Sequence, residues 1–171
     1  MEELETECIT SIKEIFFNFG ENYFDEKNVT QLRHALQCAY LAEEENSTPA
    51  LITACLLHDI GHLINKNARS SIEHGMDAEH EEKAVEFLAP WFGDDVLFPI
   101  RWHVPAKRYL TGTDVGYFSL LSTASIRSLE VQGGPFSRQE IIEFEQIPYF
   151  ADAVKLRQWD EQVKSPSKTT P

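Results

Sequence analysis

Histidine and aspartate stand side by side in a part of the chain where charged groups are not expected. His58 and Asp59 lie within residues 51–64, which are apolar on almost every side and therefore predict a buried helix. A carboxylate buried without a partner is costly, so a compensating group is expected. Because adjacent helical side chains point about 100° apart, the pair could reach one divalent metal ion or bridge two. A hydrogen-bonded His-Asp pair in the core is the alternative interpretation.

Three more candidate ligands lie on the apolar stripes of other predicted helices, at the spacings of inward-facing positions. They are His34 with Cys38 and Leu41, His80 with Ala84 and Leu88, and Asp160 with Leu156 and Val163. His103 directly precedes a Val-Pro pair, where a helix is expected to end, and such a position suits a rigid ligand. Each residue alone is more often an ordinary core residue. With His62, however, five of the six histidines occupy such positions, which favours a shared site, and only His74 is assigned no role.

These residues need a helical scaffold, and the apolar periodicity predicts one. The pattern indicates an all-α chain with helices over 5–19, 30–45, 49–64, 77–91, 94–102, 114–131, 137–146 and 148–163. Pro49 and Asp77 mark helix starts, Ser137 with Glu140 forms a capping-box pattern, and the glycines at 133–134 mark a break. We expect a single domain at 1–164, a polar loop over a site at 65–75, and a disordered tail at 165–171.

Composition argues against several classes of partner. The 171 residues carry a net charge of −13, so most of the surface repels nucleic acid and anionic lipid. No stretch reaches the roughly 20 apolar residues of a membrane helix, and the acidic N-terminus is unlike a signal peptide. The three widely spaced cysteines predict buried, reduced thiols. We therefore expect a cytoplasmic protein that acts on small molecules.

The order of the candidate ligands resembles the HD-domain superfamily. The pattern H…HD…H…H…D runs over His34, His58-Asp59, His80, His103 and Asp160. The resemblance implies that His34, His58 and Asp160 hold one metal ion, that His80 and His103 hold a second, and that Asp59 bridges them. A single-metal member needs only the first His, the HD pair and the last Asp, so the two extra histidines imply a dinuclear centre. The second ion then keeps open positions, as in non-haem iron oxygenases.

Four motifs narrow the resemblance. HDIGH (58–62), HVPAKRYL (103–110), the SxxS-LE-QGGP pattern (122–135) and K-x-R-x-WD (155–160) are similar to the mixed-valent diiron oxygenases that cleave carbon–phosphorus bonds. The likeness covers residues from about 23 to 160. It implies two iron ions, Fe(II) and Fe(III), with a 1-hydroxyalkylphosphonate and O2 as substrates. The best-known reaction of that group converts 2-amino-1-hydroxyethylphosphonate to glycine and phosphate.

The same resemblance implies an anion pocket beside the metal ions. His62, Lys107, Ser125 and Arg157 would bind the phosphonate, with His62 and Lys107 also in catalytic roles. In a chain of such negative charge, a local basic cluster would concentrate an anionic substrate. The alternative is that Lys107 and Arg157 are surface charges.

A second pocket, for the far end of the substrate, is implied before the first ligand. Tyr23 and Glu26 resemble a Y-x-x-E element to which the family assigns catalytic and substrate-binding roles, with the tyrosine able to occupy the open iron position at rest. Glu26 stands one residue further from His34 than the family spacing. Outside the family comparison, a Tyr and a Glu at this place would indicate an ordinary turn.

Two other functions fit parts of the pattern. An HD phosphohydrolase would use the same ligands to activate water on a phosphate ester, although many of these enzymes have Lys where His62 stands. A non-catalytic HD module would have lost ligand residues, and none is lost here. The pattern leaves open whether a primary amine, a trimethylammonium group or no amine follows the hydroxyphosphonate head, and it predicts no oligomeric state.

Overall fold

The computed structural model of the chain describes residues 2–22, 29–64 and 79–164, and the regular structure within these ranges is helical. The α-helices are α1 (Glu2–Phe19), α2 (Gln31–Glu44), α3 (Pro49–Leu57), α4 (Ile60–Ile64), α5 (His80–Leu88), α6 (Asp94–Thr113), α7 (Thr123–Val131), α8 (Arg138–Phe144) and α9 (Phe150–Val163), with a 3₁₀ turn at Tyr117–Leu120. The predicted all-α class is confirmed. The predicted helix start at Asp77, the loop at 65–75 and the tail at 165–171 lie outside the described residues.

Hydroxyl side chains begin four of the described helices. The N-cap residues, whose oxygens accept a hydrogen bond from the first turn, are Thr30, Thr48, Ser122 and Ser137. Each such cap typically stabilises a helix by about 1 kcal/mol. The predicted capping box of Ser137 and Glu140 and the helix start at Pro49 are confirmed. The predicted break after α7 is also confirmed, since Gly133 and Gly134 adopt φ values of +99° and +73°.

The predicted end of a helix before Pro105 is wrong. α6 passes through both Pro99 and Pro105 and continues to Thr113. Each proline removes one backbone N–H and so one helical hydrogen bond, but the buried residues on the core side of α6 hold it in place. Tertiary packing therefore outweighs the local preference, and His103 stands in the middle of a helix.

The predicted helix over 49–64 is two helices in the structure. α3 ends at Leu57 and α4 begins at Ile60. Between them the amide of His62 donates to the carbonyl of Asp59 at 2.9 Å, the spacing of a tighter 3₁₀ turn. His58 and Asp59 thus form the junction itself, and both are buried. Residues 114–131, predicted as one helix, likewise divide into the 3₁₀ turn and α7.

The metal-binding candidates lie within a helical core. α6 and α9 pack along each other, and α2, α3 and α5 pack around this pair. Fully buried members of the core include Leu57, Ile60, Leu88, Ile100 and Leu156. The three cysteines are free and buried, as predicted. Among the described residues we find no helix with the length and apolarity needed to cross a membrane.

Candidate metal centre

Four of the predicted ligands meet at one point in the core. Nε2 of His34 lies 3.3 Å from Nε2 of His58 and 3.1 Å from Oδ1 of Asp160. Oδ2 of Asp59 lies 3.4 Å from each of these two histidine nitrogens. α2, the α3–α4 junction and α9 supply the four side chains. Two imidazole nitrogens and two carboxylate oxygens at these distances form a donor set for one divalent metal ion, called here the first donor set.

The other oxygen of Asp59 faces a second donor set. Oδ1 lies 3.4 Å from Nε2 of His80 and 3.7 Å from Nε2 of His103, and these two nitrogens are 3.2 Å apart. α5 supplies His80 and α6 supplies His103. The carboxylate of Asp59 therefore presents one oxygen to each set, which is the geometry of a bridge between two metal ions. Three protein donors in the second set leave coordination positions for other ligands.

Backbone hydrogen bonds orient two of the imidazole rings. Nδ1 of His58 donates to the carbonyl oxygen of Cys55 at 2.8 Å, and Nδ1 of His103 donates to that of Ile100 at 2.6 Å. Because a carbonyl cannot donate, the hydrogen lies on Nδ1, and a neutral ring then presents its lone pair at Nε2. Nε2 of His58 lies 3.4 Å from Oδ2 of Asp59, and Nε2 of His103 lies 3.7 Å from Oδ1. Lone pairs held this close together are stabilised when a cation lies between them.

The charges of the site also favour a bound cation. Oδ2 of Asp59 is buried and accepts no hydrogen bond from any described residue. Burial disfavours a charged His58, but Asp59 and Asp160 outweigh this effect and hold the pKa of His58 well above its ordinary value. Burial lowers the pKa of His103 well below its ordinary value, and His58 and His80 add to the shift. The two carboxylates therefore stabilise a positive charge at His58, and a metal ion would take the place of that proton. Together with a neutral His103, the residues present fit divalent metal ions.

Gly61 allows α4 to approach the backbone of α5 closely. A Cβ atom at this position would lie 1.9 Å from the carbonyl oxygen of His80 and 2.8 Å from its carbonyl carbon, so a larger residue cannot be accommodated without movement. This approach brings His80 opposite Asp59. Oε2 of Glu81 lies 3.3 Å from Nδ1 of His80, and such carboxylate–histidine pairs orient metal ligands.

Arg157 is buried beside the first donor set, so the alternative that it is a surface charge is wrong. Its Nη1 donates to Oδ2 of Asp160 at 2.5 Å, and its Nε donates to the hydroxyl of Tyr117 at 3.1 Å. Its Nη2 donates to Oγ of Ser125 at 3.2 Å and also to the carboxylate of Glu161. The guanidinium therefore links α9 to α7 and to the 3₁₀ turn.

Lys107 is also buried, which excludes the surface-charge alternative for this residue as well. It lies on α6 one turn after His103, and its Nζ donates to Oγ of Ser128 at 2.6 Å. It forms no ion pair with a carboxylate in the part of the chain that the structure describes. Burial, followed by the charges of Arg157 and Lys164, lowers the pKa of Lys107 well below its ordinary value. An anionic ligand would stabilise the charged ammonium at this position.

His62 contacts the second donor set. Its ring stacks on that of His80, with centroids 3.9 Å apart and an interplanar angle of 15°. Its Nε2 lies 3.9 Å from Oδ1 of Asp59, so these three residues also form a group of donors within 4.8 Å of one another. Burial, followed by the charge of His80, lowers the pKa of His62 to about 3. A neutral His62 adds no positive charge beside the second set.

The structure adds four polar groups that sequence analysis missed. They are Tyr117, Ser128, Glu161 and Lys164, all close to the predicted site residues. Nζ of Lys164 lies 3.0 Å from Oδ1 of Asp160. The pattern R-x-x-D-E-x-x-K over residues 157–164 spaces these charges three or four positions apart on one helix. This spacing could have identified Glu161 and Lys164 from the sequence. Tyr117 and Ser128 carried no comparable signal in the sequence.

The predicted residues Tyr23 and Glu26 lie outside the described residues.

Comparisons with known proteins show which family this chain is similar to. The HD domain model matches residues 32–154. Hydroxymethylphosphonate dioxygenase of Gimesia maris is 47% identical over 159 residues, which cover 92% of this chain and 79% of that protein. The glycine-betaine-forming 1-hydroxy-2-(trimethylamino)ethylphosphonate dioxygenase of Leisingera caerulea is 38% identical over 157 residues, covering 92% of this chain and 80% of that protein. An uncharacterised protein of Acanthamoeba polyphaga mimivirus is 37% identical over 164 residues, covering 94% of this chain and 74% of that protein.

The chain belongs to the HD-domain family. The resemblance of its motifs to carbon–phosphorus-cleaving oxygenases is confirmed by the two relatives that carry such names.

Proposed function

We propose that this protein is a diiron dioxygenase that uses O2 to cleave the carbon–phosphorus bond of a 1-hydroxyalkylphosphonate. The relatives from Gimesia maris and Leisingera caerulea are named as dioxygenases of two such compounds. Each aligns over most of its own length with this chain. The net charge of −13 also favours a small molecule over nucleic acid or a membrane surface as the partner. We further propose that residues 1–164 form the catalytic domain and 165–171 a tail.

The observation that carries the proposal is the position of the Asp59 carboxylate between two donor sets. Lys107, which is buried and forms no ion pair with a described carboxylate, lies nearby. The distances from Asp59 to His58 and to His80 are both 3.4 Å, which supports two metal positions. Lys107, one turn beyond His103, supports an anionic ligand next to them. Two metal ions beside an anion pocket would suit a substrate that carries a phosphonate group.

We propose iron for both positions, in a mixed Fe(II)/Fe(III) state. Two histidines and one carboxylate with open positions are the donor set of non-haem iron oxygenases, and His80, His103 and Asp59 form such a set. When bound, the iron ions would supply electrons to O2 and a Lewis-acid position for the substrate hydroxyl. The first donor set, with four protein donors, would hold its ion more permanently.

The residues around the two donor sets then bind and orient the substrate. We assign the phosphonate to an anion pocket formed by His62, Lys107, Ser125 and Arg157. The Lys107 ammonium would contribute a charge-assisted hydrogen bond. His62, neutral because of burial and the neighbouring His80, would line the pocket without adding charge. Since Lys107 and Arg157 are buried, water is largely excluded and these bonds are stronger than in solvent.

The reaction balances for the simplest member of the substrate class. Hydroxymethylphosphonate and O2 together contain the atoms of formate and phosphate. The C–P bond, one C–H bond and the O–O bond break, one new C–O bond and one P–O bond form, the released hydrogen stays on an oxygen of the products, and the carbon gives four electrons to O2. Both oxygen atoms enter products, so no outside reductant is consumed in the balanced reaction. We propose hydroxymethylphosphonate as the first substrate to test because its dioxygenase has the higher identity of the two named relatives.

Tyr23 and Glu26 are proposed to govern the far end of the substrate and access to the open iron position. In this proposal Glu26 pairs with a substrate ammonium, and the Tyr23 hydroxyl occupies the open position until the substrate displaces it. Both roles come from the family resemblance of the Y-x-x-E element.

The decisive experiment is phosphate release by protein purified without oxygen and loaded with iron. Hydroxymethylphosphonate, 2-amino-1-hydroxyethylphosphonate and its trimethylammonium analogue are each incubated with and without O2, and a phosphate ester serves as comparison. We expect phosphate to appear from at least one hydroxyphosphonate only when O2 is present, with consumption of one O2 per phosphate. Release from the ester without O2, supported by magnesium or manganese, would establish the phosphohydrolase alternative instead.

A further inference from the structure

Glu161 is a buried carboxylate that neither donor set includes, although it directly follows the metal-binding candidate Asp160. Its Oε1 accepts a hydrogen bond from the backbone amide of Ser122 at 2.6 Å. Its Oε2 accepts one from Oγ of Ser125 at 2.9 Å and another from Nη2 of Arg157. One carboxylate thus contacts the first turn of α7 and the guanidinium on α9.

The contact with Glu161 determines where the Ser125 hydroxyl points. A serine hydroxyl has one hydrogen, and an ionised carboxylate has none, so the hydrogen must lie between Ser125 and Glu161. The Ser125 oxygen then acts as an acceptor, with Nη2 of Arg157 at 3.2 Å, Oγ of Ser122 at 3.1 Å and Nζ of Lys164 at 3.4 Å. With its hydrogen directed to Glu161, Ser125 contributes to the pocket by holding the guanidinium of Arg157.

Glu161 also restrains Arg157. The guanidinium donates to two carboxylates that are adjacent in sequence, Asp160 through Nη1 and Glu161 through Nη2. A planar group held along two edges has little rotational freedom. Without Glu161, Arg157 would keep its hydrogen bonds to Asp160 and Tyr117, but Nη2 would lose its carboxylate partner.

We propose that Glu161 is a positioning residue of the anion pocket, acting through Ser125 and Arg157 and not by touching the substrate. This inference rests on the proposed function, because it assumes that Arg157 faces the phosphonate. The proposal predicts that Glu161 increases the affinity of the pocket for an anion, although Glu161 is itself negatively charged. A negative charge near an anion pocket by itself weakens anion binding, whereas a positioning carboxylate strengthens it.

The test measures binding of inorganic phosphate to the iron-loaded protein without oxygen, by calorimetry. We expect Glu161→Gln to raise the Kd for phosphate about tenfold or more, since a hydrogen bond to a charged group typically contributes about 1.5–3 kcal/mol. Iron content should stay at the parent value. If Glu161→Gln binds phosphate as tightly as the parent, or more tightly, the positioning role is wrong. Where Glu161→Gln does not fold, Glu161→Asp, which keeps the charge but shortens the side chain, carries the same prediction.

Two further variants separate positioning from a general loss of stability. Glu45→Ala removes the partner of Trp159, whose Nε1 donates to Oε1 of Glu45 at 3.0 Å, and so loosens α9 away from the pocket. We expect it to leave the Kd for phosphate unchanged. Ser125→Ala should weaken phosphate binding in the parent but have little further effect in the Glu161→Gln background, because both changes release the same Nη2 edge of the Arg157 guanidinium. Fully additive effects would contradict the proposal.

The phosphate measurement also separates this inference from the proposed function. If the parent protein binds iron and phosphate but releases no phosphate from any hydroxyphosphonate, the proposed function fails while the role of Glu161 remains testable. If the parent cleaves hydroxymethylphosphonate, the same variant should raise KM by a similar factor and change kcat much less, because Glu161 acts on substrate binding.

Discussion

Nη1 of Arg157 donates a hydrogen bond to Oδ2 of Asp160 at 2.5 Å. A residue assigned to the anion pocket is therefore bonded directly to a residue of the first donor set. The two residues are three positions apart on α9, so they lie on the same face of that helix. We therefore expect anion binding and metal binding to be coupled through this one guanidinium.

This coupling predicts different outcomes for the two buried cations. Lys107→Ala should raise KM for the hydroxyphosphonate roughly ten- to hundredfold and leave iron content unchanged, since a charge-assisted bond contributes about 1.5–3 kcal/mol. Arg157→Ala should raise KM and also lower iron content, because Asp160 loses a buried partner. Iron analysis and steady-state kinetics measure both effects.

The matched control is Lys155→Ala, at an exposed position of α9, which should resemble the parent. Equal iron content in the Lys107→Ala and Arg157→Ala variants would contradict the coupling.

The shared carboxylate predicts an asymmetry between two ligand substitutions. Asp59→Ala should lose both iron ions, because each oxygen of Asp59 faces a different donor set. His103→Ala should empty mainly the second position and retain about one iron per chain. Elemental analysis after iron-replete expression gives the counts. Asp114→Ala removes an exposed carboxylate that accepts from the amide of Gly116 and should keep both ions; two ions in Asp59→Ala would rule out the bridge.

Gly61→Ala should disturb the geometry of the second donor set, although it replaces none of the candidate metal ligands. The added Cβ would lie 1.9 Å from the carbonyl oxygen of His80, so α5 must move away from Asp59. We expect a drop in Tm and loss of about one iron per chain. Gly93→Ala is the control, because its nearest obstacle is a side-chain oxygen of Asp95 at 3.1 Å, which can rotate. Parent-like iron content and Tm in Gly61→Ala would show that the two helices do not set the position of His80.

Removal of metal should destabilise the whole fold. In the metal-free protein the buried Oδ2 of Asp59 has no hydrogen-bond donor among the described residues. A metal ion at about a thousandfold excess over its Kd stabilises the native state by roughly 4 kcal/mol, which in a chain of this size corresponds to a Tm change of about 8–16 °C. Thermal unfolding of iron-loaded protein with and without EDTA, under argon, measures the difference. An unchanged Tm after verified iron removal would mean that the ions contribute nothing to folding.

Glu26→Ala should distinguish substrates that differ at their far end. If Glu26 pairs with an ammonium group, the variant should raise KM for 2-amino-1-hydroxyethylphosphonate by about tenfold or more. KM for hydroxymethylphosphonate, which has no amine, should change little. Equal effects on both substrates would remove the ammonium role. Tyr23→Phe, measured separately by stopped-flow oxidation without substrate, should speed oxidation of the resting iron centre.

The sequence by itself predicts the residues of the candidate metal centre, because burial leaves a periodic mark in a helical sequence. His34, His80 and Asp160 recur at the spacing of apolar neighbours, and such positions face the core whatever the arrangement of the helices. The adjacency of His58 and Asp59 within an apolar segment carries the same information. The all-α class follows from this same periodicity, since it depends on local spacing alone.

Tertiary packing decided what no local pattern contains. α6 continues through Pro105 because its buried face outweighs a missing hydrogen bond, so His103 is a mid-helix residue and not a terminal one. Each carboxylate oxygen of Asp59 faces a different donor set, and this arrangement depends on where α2, α5, α6 and α9 meet. The contact between Ser125 and Glu161 joins residues 36 positions apart. Spacing along one helix predicts which way a side chain faces, but partners on other helices are set by the packing of the whole core.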